Sequence, residues 1–142
     1  MDYDWTKLKE IFMIPIQTKT NKVLNAATEK LYDLGMISML CRGNNVQLKK
    51  MVMVFIDQLP KSIEEIKIAY HNREFEIVKN TAHRIKPILG YYAIIKVEKD
   101  ILQIERWAAK KVSSPEMESK IDNLDKVITQ IVDQLKNEFL YK

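Results

Sequence analysis

Residues 74–92, EFEIVKNTAHRIKPILGYY, decide the fold class. On a helical wheel at about 100° per residue, Val78, Thr81, Ile85, Ile88, Leu89 and Tyr92 gather on one side. A stripe roughly 100° wide is what a helix turns toward a core. His83 points almost directly away from it, among Lys79, Asn80, Lys86, Pro87 and Gly90. The segment reads as an amphipathic helix carrying an imidazole on its solvent side.

The same periodicity extends in both directions. Upstream, Leu34, Ile37, Met39 and Leu40 predict a short helix that stops near Gly43. Asn44 or Asn45 can cap the next helix, whose face runs Leu48, Met51, Val52, Phe55 and Leu59. Beyond Pro60 the pattern resumes at Ile63, Ile66 and Tyr70, as one kinked helix or two abutting ones. Asn72 stands where a cap for the histidine-bearing helix belongs. Downstream, Ile94, Val97, Ile101, Ile104 and Ala108 mark another helix. Ser114-Pro115-Glu116 opens a last one along Ile121, Leu124, Ile128, Ile131, Leu135 and Phe139. Four amphipathic helices with short joints bury their stripes most economically as an antiparallel four-helix bundle. The fold expected is therefore all-α, with additional short N-terminal helices. Trp5, Leu8 and Phe12 share one helical face that Pro15 should end. Residues 1–29 are read as a helical extension and connector, and residues 30–142 as the bundle. The extension is expected to cover the bundle, or else to serve dimerisation or partner choice.

Composition narrows the function classes. The chain has 142 residues, 46% hydrophobic and 30% charged, with three glycines and four prolines. That is one globular domain of long helices with a core of its own. No apolar run approaches the roughly 18 residues of a membrane span, and MDYDWTKLKE lacks the apolar centre of a secretory signal. A lone cysteine, Cys41, cannot form an internal disulfide and is expected in the core. The expectation is a cytoplasmic monomer without membrane attachment. The net charge of +4 comes from dispersed lysines, so nucleic acid is not an expected partner. No Glu-x-x-His pair links His71 or His83 to a metal site. No P-loop or kinase-type glycine loop suggests ATP binding.

Ala82-His83-Arg84-Ile85-Lys86, with Gly90 seven positions after the histidine, resembles the phosphoacceptor signature of histidine-containing phosphotransfer (HPt) domains. The likeness extends through Tyr32-Asp33-Leu34, Asn44-Asn45, the Phe55-to-Pro60 segment and Ile104-Glu105, about residues 30–135. Pro87, Ile88 and Leu89 stand where the family usually has glycine and small or hydroxyl residues, and Ala93 replaces a common second glycine. The resemblance implies a four-helix-bundle carrier that takes a phosphoryl group from a receiver aspartate onto His83 and passes it to another receiver. It implies response-regulator receivers and a hybrid sensor kinase as partners. No cofactor of its own is implied, and magnesium would belong to the receiver. The alternative is an HPt-like module that docks partners without accepting phosphate.

The chemistry assigns provisional roles. Free imidazole, with a pKa of about 6.5, is available as a nucleophile near neutral pH. One ring nitrogen must attack while the other carries the proton and is held by an acceptor. Lys86, at the i+3 spacing, can neutralise charge on the transferred group. Glu105, at the edge of its helix's apolar stripe, is the candidate that orients the ring. Lys79 and Arg84 flank the face as steering cations, and Gly90 clears room for a partner. Pro87 should clash with the carbonyl of His83 and bend or loosen the turn at the acceptor.

Overall fold

The computed structural model describes residues 29–140, so the helix expected around Trp5, Leu8 and Phe12 lies outside the described residues. Among those described, every regular element is helical. The elements are α1 (Gly35–Leu40), α2 (Asn45–His71), α3 (Phe75–Tyr91), a 3-10 turn (Ile95–Val97), α4 (Glu98–Ala109) and α5 (Pro115–Phe139). The fold is all-α. No described helix is long and apolar enough to cross a membrane.

Local chemistry explains most of the boundaries. The Asn44 side chain accepts the Gln47 N–H at 3.0 Å and starts α2. Ser114, in extended backbone, accepts the Met117 N–H at 3.1 Å, and Pro115 with Glu116 completes the start of α5. Asn72 does not cap α3: it closes α2, its N–H donating to the carbonyls of Ile68 and Tyr70. Glu74 takes the cap position of α3 without a side-chain bond. The chain needs Asn72 and Arg73 to finish one helix before the next begins.

Four helices end in the same left-handed turn, at Arg42, Arg73, Ala93 and Lys111. Gly43 follows Arg42 with φ of 75°. At Ala93 the turn is closed by Ala93 N–H to Gly90 O at 3.0 Å and Ile94 N–H to Leu89 O at 2.9 Å. Only glycine adopts that backbone without crowding at Cβ. Ala93→Gly is therefore expected to stabilise the protein by about 0.5–1 kcal/mol, read as a higher urea midpoint at unchanged slope.

Both internal prolines are accommodated. α2 passes through Pro60 as a single helix, and α3 passes through Pro87 without interruption. The turn between His83 and Pro87 stays within α3. Pro87 and His83 both lie on the exposed side, so the His83 carbonyl that loses its i+4 donor faces water.

Packing follows the stripes. α2 lies against α3 and α5, and α4 lies against the same two helices. The shared core contains Val52, Phe55, Leu59, Ile63 and Ile66 from α2, and Val78, Ile85 and Leu89 from α3. Ile101 and Ile104 enter from α4, and Ile121, Leu124, Ile128, Ile131 and Leu135 from α5. Tyr92 packs on Phe55 at 4.4 Å between ring centres, with the rings tilted by 42°, and donates its hydroxyl to Met51 O at 3.1 Å. Burial, with Cys41 nearby, pushes the Tyr92 phenol up to about 12. Cys41 is buried beside Met51. Not every stripe survives: Met39 and Leu40 of α1 are exposed, and only Ile37 of that helix is buried.

The segment before α1 is stapled to the end of α5. Leu31 N–H donates to Gln134 Oε1 at 3.1 Å, and Tyr32 O–H donates to Glu138. Asp33 N–H donates to Tyr92 O at 2.9 Å, which ties the same segment to the end of α3.

Candidate functional site

His83 occupies the middle of the outward face of α3, with its side chain 70% exposed. Thr81, Ala82 and Ile85 on the opposite face are buried and hold the helix against the core. α2 and α4 flank α3 on either side.

α4 supplies the group that faces the imidazole. Ile101, Ile104 and Ala108 bury the inner stripe of α4, which leaves Glu105 at the seam with α3. Its Oε2 lies 2.6 Å from His83 Nδ1, and its Oε1 accepts from Lys86 Nζ at 2.8 Å. One carboxylate thus serves two side chains a helical turn apart, one through each oxygen. The Glu105 side chain is 20% exposed. Burial alone raises its pKa, but the bonds from Lys86 and His83 outweigh that and hold it below the usual glutamate value. An ionised carboxylate can only accept, so Nδ1 carries the proton it donates. The other ring nitrogen, Nε2, makes no hydrogen bond among the described residues.

The sign of the pH dependence follows from that lowered value. The stabilisation that Glu105 gains from its partners is complete above the ordinary glutamate pKa and disappears as pH falls through the lower, folded one. The stability gap between the native protein and Glu105→Gln should therefore close as pH falls through and below the ordinary glutamate range. Denaturant midpoints across that range measure it.

Lys86 donates one of three N–H groups to Glu105, leaving two for another acceptor. Lys79 pairs with Glu76 at 2.9 Å on the same helix. Arg84 reaches the other way, to Glu65 at 3.0 Å and Ser62 at 3.4 Å on α2. The two flanking cations are thus each engaged with a carboxylate of this chain. His83, Lys86 and Glu105 are brought together; Arg84 belongs to a separate brace between α2 and α3.

Pro87 and Gly90 continue the exposed face toward the end of α3. A methyl group placed at Gly90 would meet no atom within 4 Å, and Gly90 has no positive φ. Nothing within the described fold requires glycine there. Tyr91, Leu102 and Ile95 add exposed apolar side chains on α3, α4 and the turn between them. Leu102 was detectable in advance as the aliphatic residue of α4 lying off the buried stripe. The Arg84–Glu65 brace gave no such signal, because its partners are on different helices.

His71 is exposed at the end of α2. Among the described residues, no group of three or more His, Cys, Asp or Glu side chains could hold a metal ion. The concavities lined by Lys96 and Gln134, and by Ile68 and Ile77, include none of the three clustered side chains. The site is a surface, not a pocket. No protein-family model, no curated protein and no solved structure matches this chain.

Proposed function

We propose that the protein is a phosphoryl carrier of the HPt type, an antiparallel four-helix bundle in which His83 accepts a phosphoryl group from a receiver aspartate and returns it to another. Two things support the bundle. α2, α3, α4 and α5 each pack on two of the others in a closed ring. The end of α2 also meets the start of α5, where Tyr70 O–H donates to Ser114 O at 3.0 Å and Lys67 pairs with Asp125 at 3.0 Å.

The single observation that carries the function is the Glu105 carboxylate at 2.6 Å from Nδ1 of an otherwise exposed ring. It selects the tautomer with Nδ1 protonated and leaves the Nε2 lone pair facing solvent. In the transfer, Nε2 forms a bond to phosphorus as the bond from phosphorus to the aspartyl oxygen breaks. The aspartate departs as a carboxylate. The ring keeps its Nδ1 proton, and the resulting cationic ring is stabilised by Glu105. Lys86 offers its remaining N–H groups to the phosphoryl oxygens, whose charge it offsets. The receiver would contribute magnesium and the acidic pocket. Return transfer reverses these steps on a second receiver. In this reading the chain has no kinase activity of its own and acts with response-regulator receivers and a hybrid sensor kinase.

Incubation with phosphorylated receiver domains from the same genome tests the proposal. Acid-labile, base-stable label should appear on this chain. Receivers that bind without labelling would identify a docking module instead. Gly90 gives a companion prediction. Gly90→Ala should stabilise the isolated protein by up to about 1 kcal/mol. An added methyl in a close-packed interface costs on the order of 1 kcal/mol, so receiver affinity should fall by about fivefold or more. Calorimetric unfolding and titration with a receiver measure the two effects separately.

A further inference from the structure

Met39, Val46 and Leu40, among the most exposed large apolar side chains of the described residues together with Ile95, lie far along the sequence from His83. Met36, Met39 and Leu40 occupy successive positions on one face of α1, at 52%, 78% and 61% exposure. Val46, on the first turn of α2, is 68% exposed. Cys41 to Asn44 connect the two helices with no longer excursion. Isolated apolar residues on a surface need no explanation, but a run of four on two consecutive helices does. α1 is also a weak helix by itself. It has six residues, lacks a side-chain cap and buries only Ile37.

The chain carries a second apolar stretch that matches this one. Trp5, Leu8 and Phe12 share a helical face, and Ile11-Phe12-Met13-Ile14 with Ile16 forms a dense apolar run. Residues 17–28, QTKTNKVLNAAT, separate it from the stapled segment at Glu29–Asp33, immediately before α1. Twelve residues reach up to about 40 Å, whereas six helical residues are only about 9 Å long. A tether of that length presents the N-terminal stretch to α1 at an effective concentration in the millimolar range. A second copy or a foreign partner would have to compete with that.

We propose that residues 5–16 of this chain dock on the exposed apolar side chains of α1, Met36, Met39 and Leu40, and on Val46 at the start of α2. This inference is independent of phosphoryl transfer.

The full chain carrying Trp107→Phe tests it, because Trp5 is then its one indole. The expected result is Trp5 emission to the blue of a solvated indole, unchanged on dilution. Adding Met39→Lys and Leu40→Lys should move it to the solvated value with helical content intact, since both side chains are exposed. Solvated emission in the parent chain overturns the proposal. So does a blue shift that survives the two lysines, which places Trp5 elsewhere, or one lost on dilution as a dimer dissociates. Trp107 is partly buried against the core. If its replacement unfolds the chain, amide exchange of Gly35–Leu40 decides in the otherwise native full chain. Trp5→Ala with Phe12→Ala should accelerate it by about tenfold, and an unchanged rate overturns the proposal.

Discussion

His83→Gln is expected to abolish phosphoryl transfer while leaving the helical spectrum and unfolding midpoint nearly unchanged. The chemical half follows from the nucleophile. A carboxamide nitrogen has its lone pair delocalised into the carbonyl and cannot attack phosphorus as imidazole Nε2 does. The structural half follows from exposure. His83 stands 70% in solvent and contributes no packing to the core, and substitutions at such positions usually shift stability by less than about 0.5 kcal/mol. Glutamine can still donate an N–H to Glu105, and Lys86 remains on the other oxygen of that carboxylate. Neither cluster partner is stranded. Label on His83→Gln equal to that on the native chain would place the acceptor elsewhere and remove the proposed function.

Glu105 carries the second large effect. Glu105→Ala deletes the acceptor at Nδ1 and the counter-ion of Lys86 together. The ring then rotates freely and can protonate at either nitrogen. Loss of the partner that orients a metal-bound histidine typically costs 10–100-fold, and a drop of about that size in transfer rate is expected here. Glu105→Gln separates the two roles. Its amide oxygen can still accept from Nδ1–H, but it has no charge to hold Lys86. Glutamine should therefore recover much of the rate that alanine loses. Equal rates in alanine and native protein would leave Glu105 as a structural partner of Lys86 only. Rapid-quench measurement of label transfer from one phosphorylated receiver compares all three.

How much of this was legible beforehand differs element by element. The stripe through Val78, Ile85 and Leu89 located α3 and put His83 outward, because a helical period alone determines which residues share a face. Ser114 and Asn44 announced their helices for the same local reason: a cap is a contact between residues three apart. Asn72 misled, since the same side chain suits either the end of one helix or the start of the next. Pro87 does not interrupt α3. A proline ring crowds the preceding turn, but whether the helix yields depends on what holds that turn, and here Ile85 and Leu89 are anchored in the core.

Sequence by itself determined the all-α class, the helical stripes and the outward direction of His83, all of which arise from contacts within a few residues. Only the tertiary structure decided that Glu105, 22 residues along the chain, meets both His83 and Lys86 through its two oxygens. It likewise decided that Arg84 turns away to Glu65. Such contacts depend on the rotation and register of one helix against another. Those are set by how whole apolar faces interlock, and no local spacing encodes them.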